Sequence, residues 1–438
     1  MKPEIKRRIE QIQHGEVPEG YQRTKAGIVP IDWMERSFDN LFNFAKGLSI
    51  PRDKLTKEGI NYLHYGDIHM REKTYLHVNS EENTMPKIQL DSAFFGFVAL
   101  EDGDIVFADA SEDNKGIGKA VVVYNQERRP VIAGLHTIVA KDKTKDLFRD
   151  YKRYFLHTKY IRMQFEFYAT GVSIFGVTKD SISRMRIPLP SLIEQKKIAE
   201  ILTTWDKAIE LKEQLIAEKK QQKKWLMQNL LTGEIRLPGF SGEWEESIFG
   251  EVVKQVNNRV TPSTLAEDVI CIELEHIVQE MGRLRGYTKA VFQKSTKNVF
   301  KKGDVLFGKL RPYLKKYYFA TSFGVCSSEI WVLRGIPQFI NNRFLFYFVQ
   351  STDFIKNCNA STGSKMPRAD WSLVSNMAML YPPLPEQIAI AEILSTADRE
   401  IDLHEKQLEE FKKQKKALMQ LLLTGIVRVT TKEVTPNA

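Results

Sequence analysis

Glu194-Gln195-Lys196-Lys197-Ile198-Ala199-Glu200-Ile201-Leu202 returns 192 positions later as Glu386-Gln387-Ile388-Ala389-Ile390-Ala391-Glu392-Ile393-Leu394. The echo runs on without a gap. Leu226-Met227-Gln228 matches Leu418-Met419-Gln420, and Leu230-Leu231-Thr232-Gly233 matches Leu422-Leu423-Thr424-Gly425. About 25 of the 44 pairs between 194–237 and 386–429 are identical, which marks an internal repeat. Both copies are helical in pattern, and each follows a longer stretch of different sequence. The chain thus reads as two similar rods carrying two dissimilar heads, a design suited to reading two different things at a fixed separation.

Each rod is about 40 residues, or roughly 60 Å of helix. In the second, apolar steps of 4 and 3 alternate through Ile390, Leu394, Ala397, Ile401, His404, Leu408, Phe411, Lys415, Leu418 and Leu422. That is a coiled-coil stripe. The first places Ile198, Leu202, Trp205, Ile209, Lys212, Ile216, Lys219, Lys223, Leu226 and Leu230 at matching positions. Its three lysines predict a loosely packed middle or local pairing with acids. Two such helices in one chain pack most simply antiparallel about a pseudo-two-fold axis, with the heads at opposite ends. Two helical linkers that never meet are the alternative. Ser191 and Glu194 predict a capping box at the first rod, and Gly233 and Gly425 are helix stops.

Length, at 438 residues, exceeds one ordinary domain. We draw the segments as an N-terminal rod-tail at 1–32, a head at 33–190, a spacer helix at 191–233, a head at 234–385, a second spacer helix at 386–425 and a tail at 426–438. Ile9-Glu10-Gln11-Ile12 before Gly15 resembles the end of a rod, so the order is circular and the chain ends should meet near one rod's end. The heads read as mixed α/β, in the α+β sense. Asp104–Ala108 and Ala120–Tyr124 look like strands, as do Asp304–Phe307 and Glu329–Leu333. The turn signals Gly103-Asp104 and Gly303-Asp304 stand before the first of each pair. Helical stretches are expected at Phe148–Tyr160 and Arg343–Phe354. Thr170-Gly171 and Thr362-Gly363 precede the rods.

A net charge of +9 favours a polyanionic partner, nucleic acid above all, although a solvated basic surface would read the same. Cys271, Cys326 and Cys358 form no CxxC pair, which argues against a disulfide framework and a zinc site and for a reducing cytoplasm. The charged start Met1-Lys2-Pro3-Glu4 predicts no signal peptide, and no apolar run is long enough for a membrane span. No phosphate-binding P-loop or dinucleotide-binding glycine pattern is present, so no cofactor is expected. Asp104 with Asp113-Asn114-Lys115 could imitate a metal-dependent nuclease, but an ordinary turn explains it better. His64, His69 and His77 with Asp67 have no regular ligand spacing.

Nucleic-acid contacts have stronger support. Lys309, Arg311, Tyr313, Lys315 and Lys316 interleave cations with aromatics, where lysine can neutralise phosphate and arginine can fork onto guanine. Ser364, Lys365 and Arg368 belong to a small-residue loop open to phosphate. In the first head, Asn114, Lys115, Lys119, Arg128, Arg129, Ser173 and Lys179 are candidates. Lys219–Lys224 reads as a solvated helix face.

Pro-Leu-Pro, then Glu-Gln, then Ile-Ala-Glu-Ile-Leu, then a long helix ending Leu-Leu-Thr-Gly resembles the specificity (S) subunits of type I restriction-modification systems. The pattern stands at Pro188–Gly233 and Pro383–Gly425, and Pro30-Ile31-Asp32-Trp33 with the Gly-Asp turns is also similar. The resemblance implies two target-recognition domains, each reading half of a split sequence in double-stranded DNA. It implies spacer helices that set the half-site distance and dock two modification (methyltransferase) subunits, joined by restriction (helicase-nuclease) subunits. The S subunit itself is then not an enzyme. One departure leaves the helix register open: Ser191-Leu192-Ile193 separate Pro190 from Glu194, whereas Pro385 abuts Glu386. A two-headed protein-binding scaffold and a DNA-modifying enzyme with an unrecognised site are the rival readings.

Overall fold

The computed structural model describes residues 2–81, 84–89, 98–114, 116–360 and 367–429, without the side chains of Arg52 and Ser263. It divides into two compact units. Unit 1 comprises Met1–Glu210 with Glu409–Ala438, and unit 2 comprises Leu211–Leu408. Each unit holds one head together with half of each rod.

The rods are the helices Leu192–Leu230 and Leu384–Leu423. Both begin at the same repeat offset, so the register question closes. Pro385 sits in the first turn of its helix, where a missing N–H removes no intrahelical bond. Within unit 1 the halves run antiparallel. Ile198 and Leu202 share a core with Leu418 and Leu422, and Trp205 meets Phe411 edge-on at 5.8 Å. Within unit 2, Leu226 and Leu230 pack with Ile390 and Leu394. Every residue of both stripes is buried or half-buried, Ile209, Ile401 and Leu408 included. The interrupting lysines find partners. Lys212 Nζ lies 2.9 Å from Nδ1 of His404, its own repeat mate. Lys219 pairs with Glu400 at 2.8 Å, Lys223 with Asp398 at 2.6 Å and Lys220 with Glu405 at 2.7 Å. The run at 219–224 is therefore not the freely solvated face its composition predicts. Its Lys219, Lys220 and Lys223 ammonium groups answer acids of the opposite helix. In unit 1, Lys415 pairs with Asp206.

The capping box at Ser191 is only half made. Ser191 Oγ accepts from Glu194 N at 3.3 Å. The Glu194 carboxylate does not reach back. It is buried, and it accepts from Arg428 at 2.7 and 2.9 Å and from Trp33 Nε1 at 3.1 Å. Unit 2 repeats the device with Arg236 on Glu386 at 2.7 and 2.6 Å. The neighbouring glutamines clamp head to rod. Gln195 accepts from Phe148 N and donates to Asp146 and Pro190 carbonyls. Gln387 accepts from Asn341 N and donates to Phe339 and Pro382 carbonyls. The repeated Glu-Gln dipeptide is thus a buried polar joint, with the amide of each glutamine satisfied.

The rods stop as expected. Past Gly233 and Gly425, Ile235 N bonds to Asn229 O and Val427 N to Leu421 O. Gly425 has φ +70°, and an added Cβ would lie 2.4 Å from Pro30 and 3.2 Å from Trp33. The described N-terminal segment meets the end of the second rod there. Tyr21 Oη donates to Gly425 O at 2.6 Å, Arg8 donates to Ile426 O, and Arg428 pairs with Asp32 at 2.7 Å.

Unit 1 carries a five-stranded sheet in the order Phe42–Lys46, Thr137–Asp142, Ile105–Ala108, Ala120–Tyr124, Tyr75–His77. Unit 2 repeats four of these strands in the same order as Val253–Gln255, Ile330–Gly335, Val305–Gly308, Tyr317–Phe319. Gly103 and Gly303 turn at φ +92° and +91°. Asp104 and Asp304 then accept from Glu101 N and Lys301 N, each at 2.8 Å. Asp104 thereby closes its turn and pairs with Lys141 at 3.3 Å, as an ordinary turn residue does. Each expected single helix after the sheet is broken in two, as Arg149–Phe155 with Lys159–Tyr168 and as Asn342–Phe348 with Thr352–Asn359. In the second, Ser351 caps the new start by accepting from Phe354 N, a local competition that ends the preceding turn.

At the break in unit 1 lies His157. Its Nε2 is sealed from solvent and has no hydrogen-bond partner among the described residues. Burial, then Arg162, Lys415 and Lys119 nearby, pull its pKa down to about 4. Unfolded histidine titrates near 6.5, so the unfolded chain takes the proton first. The stability that neutral His157 supports is whole above pH 6.5 and drains away as pH falls towards 4. At about 1.4 kcal/mol per pH unit, discounted for the ring's partly exposed edge, the loss is roughly 2–3 kcal/mol. Urea midpoints of unit 1 between pH 7 and 4 should therefore fall less in His157→Gln than in the native chain. Equal falls would refute this.

Candidate nucleic-acid interface

The two heads end their central strands on one backbone frame. In unit 1, Asp109 N donates to His136 O at 3.1 Å, and Val177 N donates to Asp109 O at 2.9 Å. In unit 2, Lys309 N donates to Glu329 O at 2.9 Å, and Ala369 N donates to Lys309 O at 2.8 Å. One residue on, Ala110–Ser111 pairs antiparallel with Phe175–Gly176, and Leu310 bridges to Arg368 in the same sense. Asp109, His136 and Gly176 therefore occupy the places of Lys309, Glu329 and Arg368.

On this frame in unit 2, Lys309, Arg311, Tyr313 and Arg368 come together. Arg311 N donates to Pro367 O at 2.8 Å. Arg311 and Tyr313 are exposed. Arg368 Nε and Nη2 lie on the Glu329 carboxylate at 3.1 and 3.3 Å. Lys315 pairs with Glu280 at 3.2 Å. Lys316 Nζ donates to Leu274 O at 2.6 Å and is half-buried, which depresses its pKa. Ser364 and Lys365 lie outside the described residues. In unit 1, the exposed Asn114 and Ser173 belong to the two loops that leave the frame, and Lys119 donates to His69 O at 2.7 Å. Lys179 opens a short helix two residues beyond Val177. Arg128 and Arg129 are elsewhere, in a turn past the far end of strand Ala120–Tyr124. There Arg129 pairs with Glu127. Lys115 lies outside the described residues.

Three residues on the frame are strained. His136, Arg311 and Lys315 hold φ of +54°, +52° and +47°, a left-handed conformation that costs non-glycine residues about 1–3 kcal/mol. Tyr65 packs its ring at 5.3 Å from His136, 4.5 Å from His64 and 6.0 Å from His69. His136 Nδ1 lies 3.1 Å from Asp109 Oδ1. Asp109, His136 and Glu329 escape a reading of local motifs. Laying Gly103-Asp104 on Gly303-Asp304 and counting forward would have paired Asp109 with Lys309. Among the described residues no three His, Cys, Asp or Glu side chains are grouped to hold a metal. His64 caps a helix through Gly66 N, His69 is bonded to Ala110 O, and the His77 ring packs tilted against Tyr124. In unit 2 a groove of about 1150 Å³ runs beside the rod, and its walls include the Lys220–Glu405 and Lys223–Asp398 pairs. Among the described residues no helix is long and apolar enough to cross a membrane.

Two strand-end frames thus recur on two α+β heads, and halves of a repeated helix complete each unit. The chain matches the family model for the type I restriction modification DNA specificity domain twice, over 30–221 and 241–413, and it belongs to that family. The type I restriction enzyme MjaVIII specificity subunit of Methanocaldococcus jannaschii is 28% identical over 282 residues, 59% of this chain and 66% of that one. The putative MjaX specificity subunit of the same organism is 23% identical over 442 residues, 94% and 98% of the two chains. The Escherichia coli EcoDI specificity subunit is 26% identical over 272 residues, 54% and 60%. The crystal structure of the type I restriction-modification S subunit from M. genitalium has the same fold, with a TM-score of 0.53 at 16% identity over 90% of this chain and 96% of that one. A structure from work on assembly and conformational transition of the type I R-M system gives 0.57 at 16% identity, covering 91% and 99%.

Proposed function

We propose that this chain recognises a bipartite site in duplex DNA, each unit reading one half through its strand-end frame. It acts as the non-catalytic specificity subunit of a type I restriction-modification complex. The observation that carries this reading is the frame itself: one set of backbone hydrogen bonds, met twice, presenting different hydrogen-bonding groups. The rods then set the half-site separation and dock two modification (methyltransferase) subunits, with restriction subunits completing the assembly. Rods of roughly 60 Å match about 1.7 duplex turns, so the half-sites should lie between one and two turns apart. Three buried free thiols, Cys271, Cys326 and Cys358, suit a reducing cytoplasm.

The test is binding to a randomised duplex library by the chain assembled with its modification subunits. Two conserved blocks with an unspecified spacer of constant length are expected, with affinity falling steeply as salt rises. Arg311→Ala should weaken one block alone, by about 1–3 kcal/mol if a bidentate base contact is lost. The chain alone, given S-adenosylmethionine, Mg²⁺ and ATP, should neither methylate nor cleave. Sequence-independent, salt-insensitive binding would favour the protein scaffold, and turnover by the chain alone would favour the enzyme.

A further inference from the structure

We propose that three equivalent positions on the frame, Asp109/His136/Gly176 in unit 1 and Lys309/Glu329/Arg368 in unit 2, decide which base edges each head accepts. This rests on the DNA-reading function proposed above and deepens it. The backbone bonds at these positions recur in both units, although His136 is left-handed where Glu329 is not. The larger difference is chemical, and it is opposite in kind. Unit 1 places a carboxylate where unit 2 places an ammonium. It places an imidazole where unit 2 has a carboxylate, and no side chain where unit 2 has a guanidinium. Strain marks the same ground, since His136 stands in the left-handed region at a place the frame bond to Asp109 N holds fixed.

Each set presents a definite pattern. Glu329 engages the Nε–Nη2 edge of Arg368 and so fixes the plane of the guanidinium. With Lys309 beside it on the same frame, unit 2 offers positive donors and suits the O6 and N7 acceptors of guanine. Glu329 in this arrangement is a positioning residue. In unit 1, Asp109 is an acceptor suited to the exocyclic amino groups of cytosine or adenine, and its contact with His136 orients it. Tyr65 packs against His136 and supports that ring from behind. Gly176 leaves room for a side chain: an added Cβ would lie 3.6 Å from Asp109 O, in ordinary contact. A side chain can therefore be added at Gly176 without displacing backbone.

The experiment exchanges the sets in the full chain, assembled with modification subunits and selected on a randomised duplex library. Asp109→Lys with His136→Glu and Gly176→Arg should turn at least one amino-presenting base of the unit 1 half-site to guanine. The expected change in preference is about ten- to hundredfold, with the other half-site unaltered. Lys309→Asp with Glu329→His and Arg368→Gly should remove a guanine preference from the unit 2 half-site alone. If a triple variant loses its thermal transition, Asp109→Asn and Lys309→Met are read instead, and each should relax one base of its own half-site. Glu329→Gln should loosen the same base as Arg368→Ala but by less, a pattern that mere scaffolding would not give. Half-sites left unchanged in folded variants overturn the inference and leave DNA recognition standing. A native chain that selects no sequence overturns the DNA-reading function itself.

Discussion

Aspartate at Leu394 is expected to unfold unit 2 under conditions where the native chain is intact. Leu394 is wholly buried and shares its core with Leu230, Leu231, Phe344 and Ile390. Removing the side chain to alanine alone would cost about 2–5 kcal/mol. A carboxylate without a partner at that depth adds several more. The sum, upwards of about 5 kcal/mol, rivals the whole stability of a domain. Ile393, one residue earlier and 37% exposed, is the control, and aspartate there should shift stability by about 0.5 kcal/mol or less. Amide exchange read separately in the two units would localise the damage. A Leu394→Asp chain with native protection in unit 2 would mean that the rod seam does not hold that head.

Loss of Arg428 should be the most damaging single change at the joint between chain ends and rod. Glu194 is 1% exposed and takes two of its three hydrogen bonds from Arg428. Methionine at 428 would keep the aliphatic packing and leave Trp33 as the remaining donor to a buried carboxylate. Removing one member of such a pair costs about 3–5 kcal/mol. The partial exposure of Arg428 puts the expectation near the lower figure, about 3 kcal/mol. Adding Glu194→Gln should restore more than half, because the stranded charge is then gone. The urea midpoint of unit 1 checks both steps. A double variant no more stable than Arg428→Met would show that lost packing, not an unpaired charge, is responsible. The same pair of substitutions at Arg236 and Glu386 should act on unit 2.

The proposed recognition surface was legible in part. Lys309, Arg311, Tyr313 and Arg368 were visible as cations and an aromatic in two separate stretches, and the fold brings them to one loop cluster. Lys315 and Lys316 read as equally available, yet Glu280 and a backbone carbonyl of Leu274 hold them. Arg128 and Arg129 read like Lys119 but stand past the other end of their strand. Charge counts a residue's potential contacts; only packing says which are already made. Asp109, His136 and Glu329 carry no motif at all, because their place on the frame comes from backbone bonds between segments about 20 to 70 residues apart in the chain.

The rods, their seam and their stops were set by the sequence alone, since helical periodicity and a glycine in the left-handed region act over a few residues. The same holds for the Gly-Asp turns and the strands after them. Tertiary structure decided the rest. Glu194 makes a sound capping box in isolation, but Arg428 and Trp33 are stronger partners for a buried carboxylate than one backbone amide. The helical stretches at 148–160 and 343–354 each break where a new helix must turn to cover the sheet. The lysines of the first rod look solvated until the opposing helix brings Glu400, Glu405 and Asp398 within reach. For Glu194 and for the lysines a local preference lost to a partner remote in sequence, and burial makes the remote partner the stronger one by raising the penalty on any polar group left unpaired.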